Sequence, residues 1–373
     1  MNQEFKRSFE ISAHGGDLQA FSKRYHKRED EIIDFSSNVN PLGIPESLQS
    51  VYQASMDDLS LYPDPYAQLF CERIADLFRL SPENVIAGNG SIALLEVAIR
   101  FLRPKRALLI EPCFTEYRRL LKLHGAQIQH IPLSPKQDFQ FTLERILKHL
   151  SKTDLLIFGH PNNPTGSALS VSEIHLLLKE TRKKGVFMIV DEAFVDWIPE
   201  LSVVNQVGDS NPLLVVRSMT KFFALAGIRS GFALGSRALI QAMANHLGLW
   251  NCNRLAQKLS IAAFSDLTFQ EKTRSWLRGE RAWLTQAIEQ LEGFKVFPSL
   301  ANFLLVRSQK PLHGFFDFLG HRGIYVRTVS DFVGLDDSYF RIAVRTRKEN
   351  EYLTQVLNAW LEDHTYVSAC LST

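Results

Sequence analysis

Lys221 sits between small hydroxyl residues and a later arginine in the stretch SMTKFFALAGIRSG, residues 218–231. It follows an apolar run, 213–216, that reads as a buried parallel strand, so the lysine would emerge at the strand's carboxyl end. That is where open α/β sheets bind ligands. A lysine that forms a Schiff base needs a dry pocket to lower its pKa, and anion-binding groups beside it to hold a phosphorylated cofactor. Ser218, Thr220 and Arg229 are candidates for those groups. Asp191, thirty residues earlier, closes a second apolar run, 186–190, and is followed by Glu192, Ala193 and Phe194. A cofactor with a pyridine ring needs a carboxylate to keep its ring nitrogen protonated, so that the ring can act as an electron sink. Lys221 alone reads more readily as a solvated loop lysine. Together, at two strand ends, Lys221 and Asp191 point to one cleft.

The elements that must position them alternate. Apolar runs at 107–110, 155–158, 186–190 and 213–216 read as strands, and helical patterns fall at 66–80, 92–102 and 170–184. Over about 180 residues this is the pattern of right-handed crossovers in a mostly parallel sheet. The turn Gly88, Asn89, Gly90, Ser91 opens a helix whose first amides would attract a phosphate, although glycine turns also precede helices that bind nothing. HPNNPTG, 160–166, is a proline-rich turn in which an asparagine amide could reach a cofactor oxygen. DFSSNVNPLG, 34–43, reads as a loop, with Asn38 and Asn40 available to a ligand or to their own backbone. A short helix is expected over 45–56. After Gly231 the pattern changes to an antiparallel strand at 232–234 and long helices over 236–291. Short strands at 294–297, 303–306, 324–326 and 340–344 then interleave with helices near 311–321 and 348–363, as in an α+β lobe.

Composition bounds the function classes. The 373 residues suffice for a large core, and a net charge of +2 with 22% charged residues gives no reason to expect nucleic acid as a partner. Cys71, Cys113, Cys252 and Cys370 are widely spaced, without a metal-ligand pattern or a disulfide framework, which fits a reducing compartment. The amino-terminal MNQEFKRSFE lacks the apolar core of a signal peptide, and no apolar run reaches the length of a membrane span. A cytoplasmic protein without a membrane partner or a metal is expected, with a short tail at 365–373.

Six motifs in order, GNGS (88–91), PCFTEY (112–117), HPNNPTG, DEAF (191–194), SMTKFFALAGIRSG and YFRIAVR (339–345), make the chain resemble the fold-type I pyridoxal-phosphate enzymes of the class I and II aminotransferase group. The resemblance spans nearly the whole chain. It implies an α/β fold in which a large domain with a mostly parallel seven-stranded sheet, 51–265, is joined by a smaller α+β domain, 266–373, to which the amino-terminal segment 1–50 belongs. It also implies pyridoxal 5'-phosphate as cofactor, covalently held by Lys221, with Asp191 on the ring nitrogen, Asn163 on the phenolic oxygen and Phe114 over the ring. Gly90, Ser91, Ser218 and Arg229 would grip the phosphate. Tyr62 would reach a phosphate of the partner subunit, because family members are homodimers with shared sites.

Within the group the chain is most similar to the L-threonine-O-3-phosphate decarboxylases of cobalamin biosynthesis, and next to the histidinol-phosphate aminotransferases. Three features carry this: HGG (14–16) followed by DFSSNVNPLG, Phe194 where the aminotransferases have a tyrosine, and Arg327 fourteen residues before Arg341. The implied reaction releases carbon dioxide from a small phosphorylated amino acid and leaves (R)-1-amino-2-propanol O-phosphate. His14, Asn38, Arg327 and Arg341 would bind the substrate. An aminotransferase and a decarboxylase of L-serine O-phosphate stay open as alternatives. So does a noncatalytic scaffold, against which the intact set of Lys221, Asp191, Asn163 and Arg229 argues.

Overall fold

The structure, a computed structural model, describes residues 14–363; the amino-terminal MNQEFKRSFE, Cys370 and the tail at 365–373 lie outside the described residues. In chain order the strands are β1 (Ile33–Asp34), β2 (Val85–Gly88), β3 (Arg106–Glu111), β4 (Gln127–Pro132), β5 (Leu155–Gly159), β6 (Phe187–Asp191), β7 (Leu213–Ser218), β8 (Gly231–Gly235), β9 (Phe294–Val296), β10 (Phe303–Ser308), β11 (Ile324–Tyr325), β12 (Arg327–Thr328) and β13 (Tyr339–Ala343).

Seven of them form the central sheet in the order β2-β8-β7-β6-β5-β3-β4. Only β8 runs against its neighbours, as the sequence leads one to expect of 232–234. The inner strands are apolar throughout because both faces are covered. Their side chains alternate between two cores: Leu156, Phe158, Met188 and Val190 pack on one face. Leu155, Ile157, Ile189 and Leu214 pack on the other. The helix Val171–Lys184 that returns the chain to β6 starts with a capping box, Ser170 with Glu173, and stops at Gly185.

A second sheet, β12-β13-β10-β9, is antiparallel. The segment around residue 34 joins it from the other end of the chain: β1 pairs with β11, and Ala343 N donates to Phe35 O. That same segment then reaches the turn at Lys221. Asn40 N donates to Lys221 O, and the Asn40 amide to Phe222 O. Asn40 is therefore a tether of the loop. Asn38 is different: its Oδ1 is buried without a hydrogen-bond partner.

Four of the strands were not legible as strands. β4 carries QIQHIP and buries only Ile131 well, since it is an edge strand defined by pairing with β3. β1 and β12 are two-residue strands that exist only through their partners. β2 is apolar and fully buried but only four residues long.

Candidate active site

Strand register brings the motifs to one sheet edge. Gly159 lies opposite Asp191, Asp191 opposite Val216, and Ser218 opposite Gly231, which is itself opposite Gly88. Above this edge lies a cavity of about 590 Å³, lined by residues of both sheets' lobes and by the loop at 36–38.

The cradle at one end is built from close backbone approach. Gly90 has φ +81°, and a Cβ there would stand 3.0 Å from the Arg229 guanidinium. At Gly231 a Cβ would meet Ser91 N at 2.6 Å, so only glycine allows β8 to pass the start of the helix Ser91–Leu102. Ser91, Ser218, Thr220 and Arg229 all line this end, and the Ser218 and Thr220 hydroxyls are 2.8 Å apart. A helix amino terminus, two hydroxyls and a guanidinium are the donors that could hold a phosphate.

Lys221 lines the cavity on a turn after β7. Burial, followed by the positive charges of Arg341 and Arg229, pulls its pKa down to about 8. Asp191, 6% exposed, closes β6 with its carboxylate at the cavity. Burial raises its pKa to about 6 against the opposing pull of bonds from Tyr117 and the Ala193 amide. Phe114 lines the cavity from the turn after β3, edge-on to Tyr117.

The opposite wall comes from the second sheet. Arg327 on β12 and Arg341 on β13 are cross-strand partners, both buried and both lining the cavity. Like charges in that position repel. Arg327 is compensated by both oxygens of Asp331, at 2.7 and 3.0 Å. Arg341 instead donates to Asn163 Oδ1 at 2.5 Å and to Ser36 O at 2.6 Å. Those are neutral acceptors, and burial followed by the Arg327 charge draws the Arg341 pKa down to about 9.

Of the residues singled out in the sequence, Ser91, Phe114, Asn163, Asp191, Ser218, Lys221, Arg229, His14, Asn38, Arg327 and Arg341 line this one cavity. Gly90 supports it from behind. Tyr62 does not line it: the side chain is 78% exposed and lies against Trp250, with ring centroids 5.2 Å apart. His14 sits at the mouth, its Nε2 3.1 Å from Glu116 Oε1. Sequence reasoning passed over Ser36, Glu116, Arg119 and Phe332 as cavity residues and gave Tyr117 no role. The PCFTEY motif contains two of them, but nothing in a helix's spacing says which side faces a ligand.

The donor set fits pyridoxal phosphate: an anion cradle, a lysine of lowered pKa, a buried carboxylate for a ring nitrogen, and an aromatic ring lining the same cavity. Comparison with known proteins agrees. Residues 30–357 match the family described as Aminotransferase class I and II. The threonine-phosphate decarboxylase of Salmonella typhimurium is 32% identical over 93% of this chain and 96% of its own. The histidinol-phosphate aminotransferase of Methanococcus aeolicus is 26% identical over 94% and 96%. Among solved structures, the histidinol-phosphate aminotransferase of Clostridium acetobutylicum superposes with a TM-score of 0.82 at 29% identity, covering 87% of this chain and 98% of its own. The chain belongs to the class I and II aminotransferase family, with its fold-type I architecture. It is a pyridoxal-phosphate-dependent enzyme.

Proposed function

We propose that this enzyme decarboxylates L-threonine O-3-phosphate, giving (R)-1-amino-2-propanol O-phosphate and carbon dioxide for the linker of the cobalamin nucleotide loop. The observation that carries the reading is the buried cross-strand pair Arg327 and Arg341. Arg341, held only by neutral acceptors, calls for an anionic group, and Arg327 beside it, paired with Asp331, can receive a second one. A phosphorylated amino acid has both. Arg341 would fork onto the carboxylate, with Arg327, His14 and Asn38 on the phosphate.

When bound, pyridoxal phosphate supplies an aldehyde for the substrate amine and a protonated ring that takes up the electron pair left at the α-carbon. The remaining work falls to side chains. Arg327 and Arg341 would hold the substrate by its anionic groups, so that the bond to its carboxylate breaks in preference to the α C–H bond. Lys221 would deliver a proton from Nζ to the α-carbon once the carboxylate has left as carbon dioxide. Asn163 would bond the phenolic oxygen. Phe194 supports decarboxylation over transamination: the ring is buried, edge-on to Phe303, and brings no hydroxyl to the cavity wall it lines.

A transaminating enzyme acting on histidinol phosphate is the second reading, favoured by the similarity to the Methanococcus and Clostridium proteins. Phosphoserine differs from phosphothreonine by one methyl group, worth about 1–3 kcal/mol of discrimination. We infer further that two chains pair, in the cytoplasm, through the exposed apolar side chains Leu59, Leu61, Tyr62, Tyr66 and Leu69, with Tyr62 serving the partner's cofactor phosphate. The amino-terminal segment 1–50 would belong with residues 266–373 to the smaller domain, and 51–265 would be the large cofactor-binding domain.

The test is to mix cofactor-loaded protein with O-phosphothreonine in the absence of any keto acid. Sustained release of carbon dioxide is expected, with phosphoserine a poorer substrate. No release, together with stoichiometric amination of the cofactor by histidinol phosphate, would overturn the reading in favour of an aminotransferase.

A further inference from the structure

Tyr117 reaches the cavity from the helix Thr115–Leu123, and its bonding is specific. The hydroxyl donates to Asp191 Oδ2 at 2.7 Å, while the Ala193 amide donates to Oδ1 at 3.0 Å. Each carboxylate oxygen thus has one protein donor and keeps lone-pair capacity for a further one. The tyrosine itself is held on its sides: it is 2% exposed and edge-on to Phe114 at 5.5 Å. Its hydroxyl oxygen lies 3.4 Å from where a Cβ on Gly159 would stand.

The direction of the bond is fixed by the chemistry of the pair. Burial and the neighbouring Asp191 charge push the phenol well above its ordinary pKa, so the hydroxyl keeps its proton and serves as donor. For Asp191 the opposite pressure applies. Burial favours the neutral acid, and the bonds from Tyr117 and Ala193 favour the anion. A neutral carboxyl would be a poor partner for a protonated pyridine, so whatever stabilises the anion strengthens the grip on the ring nitrogen.

We propose that Tyr117 is a positioning residue for the cofactor's ring nitrogen, acting through its hydrogen bond to Asp191. The proposal rests on the reading of Asp191 as the ring-nitrogen partner, and it holds whichever reaction the enzyme runs. A tyrosine present only to fill the core would affect every ligand of the site alike. One that acts through Asp191 affects only a ligand with a ring nitrogen.

Apoprotein is therefore titrated, without substrate, with pyridoxal phosphate and with its deaza analogue, in which carbon replaces the ring nitrogen. In Tyr117→Phe the affinity for pyridoxal phosphate is expected to fall on the order of ten-fold, as for loss of a hydrogen bond to a charged group. The affinity for the analogue is expected to stay as in the parent. Equal losses for both ligands, or no loss for either, would overturn the proposal. Asp191→Asn separates this from the underlying reading: it is expected to remove the preference for pyridoxal phosphate over the analogue. A preference that survives in Asp191→Asn overturns the role of Asp191 itself. Replacement of Tyr117 by 3-fluorotyrosine keeps ring and packing while strengthening the donor, which covers a poorly folding phenylalanine variant. It is expected to widen the preference, and an unchanged or narrower one overturns the proposal.

Discussion

A lysine attacks a carbonyl only as the neutral amine, and Lys221 reaches that form near pH 8 because it is enclosed beside Arg341 and Arg229. Positive neighbours disfavour the protonated lysine, so removing one raises its pKa. Uptake of pyridoxal phosphate by the apoprotein should therefore quicken with rising pH through about 8, and Arg341→Gln should move that midpoint upward. At neutral pH the variant is expected to bind the cofactor more slowly, by roughly three-fold or more. Stopped-flow absorbance over a pH series measures this; an unmoved midpoint would mean that Arg341 does not act on the lysine through its charge. At this scale Lys221 and Asp191 were legible as cavity residues only together, because each follows a buried apolar run while a lone lysine reads as a solvated side chain. The sequence was silent on Tyr117, because a tyrosine on an amphipathic helix looks the same whether it fills a core or bonds a carboxylate.

The ends of β6 and β7 are locked together behind the site. Arg217, the penultimate residue of β7, is buried and bonds Glu192 at 3.1 Å and Asp196 at 2.5 Å. Its guanidinium also lies over the rings of Phe78 and Phe232. Neither carboxylate has the solvent to fall back on, and burial already raises the Glu192 pKa. Arg217→Met should cost about 3–5 kcal/mol, the loss expected when one partner of a buried charge group is removed. The thermal midpoint of the apoprotein reports it, and the loss should shrink toward acid pH as the stranded Glu192 takes up a proton. A midpoint within a degree or two of the parent at neutral pH would contradict this. From sequence, Glu192 was visible only as the neighbour of Asp191, and Arg217 only as the neighbour of Ser218. Their pairing depends on β6 and β7 being adjacent and in register.

For the whole molecule the open question is the second chain. Tyr62 is exposed and does not line its own chain's cavity, and Leu59, Leu61, Tyr66 and Leu69 are exposed among the described residues. Sedimentation equilibrium should give a dimer. Mixing Tyr62→Phe and Lys221→Ala chains under exchange should restore one intact site per mixed dimer, so activity should exceed that of either variant alone. If Tyr62 serves its own chain, mixing restores nothing. Among the described residues no helix is long and apolar enough to cross a membrane, and no cluster of His, Cys, Asp and Glu is arranged to hold a metal.

Local pattern and motif order were enough, by themselves, to settle the α/β class, the strand ends that carry Lys221 and Asp191, and the family. Buried parallel strands are continuous apolar runs, and a cofactor with a phosphate, an aldehyde and a ring nitrogen restricts the residues that can meet it. Only tertiary structure decided that Arg327 and Arg341 face each other across β12 and β13, that Asn40 tethers a loop while Asn38 opens onto the cavity, and that Tyr117 bonds Asp191. Each of these depends on register or on contact between segments far apart in the chain. Such contacts are fixed by how whole sheets and helices pack, and no local stretch of sequence encodes them.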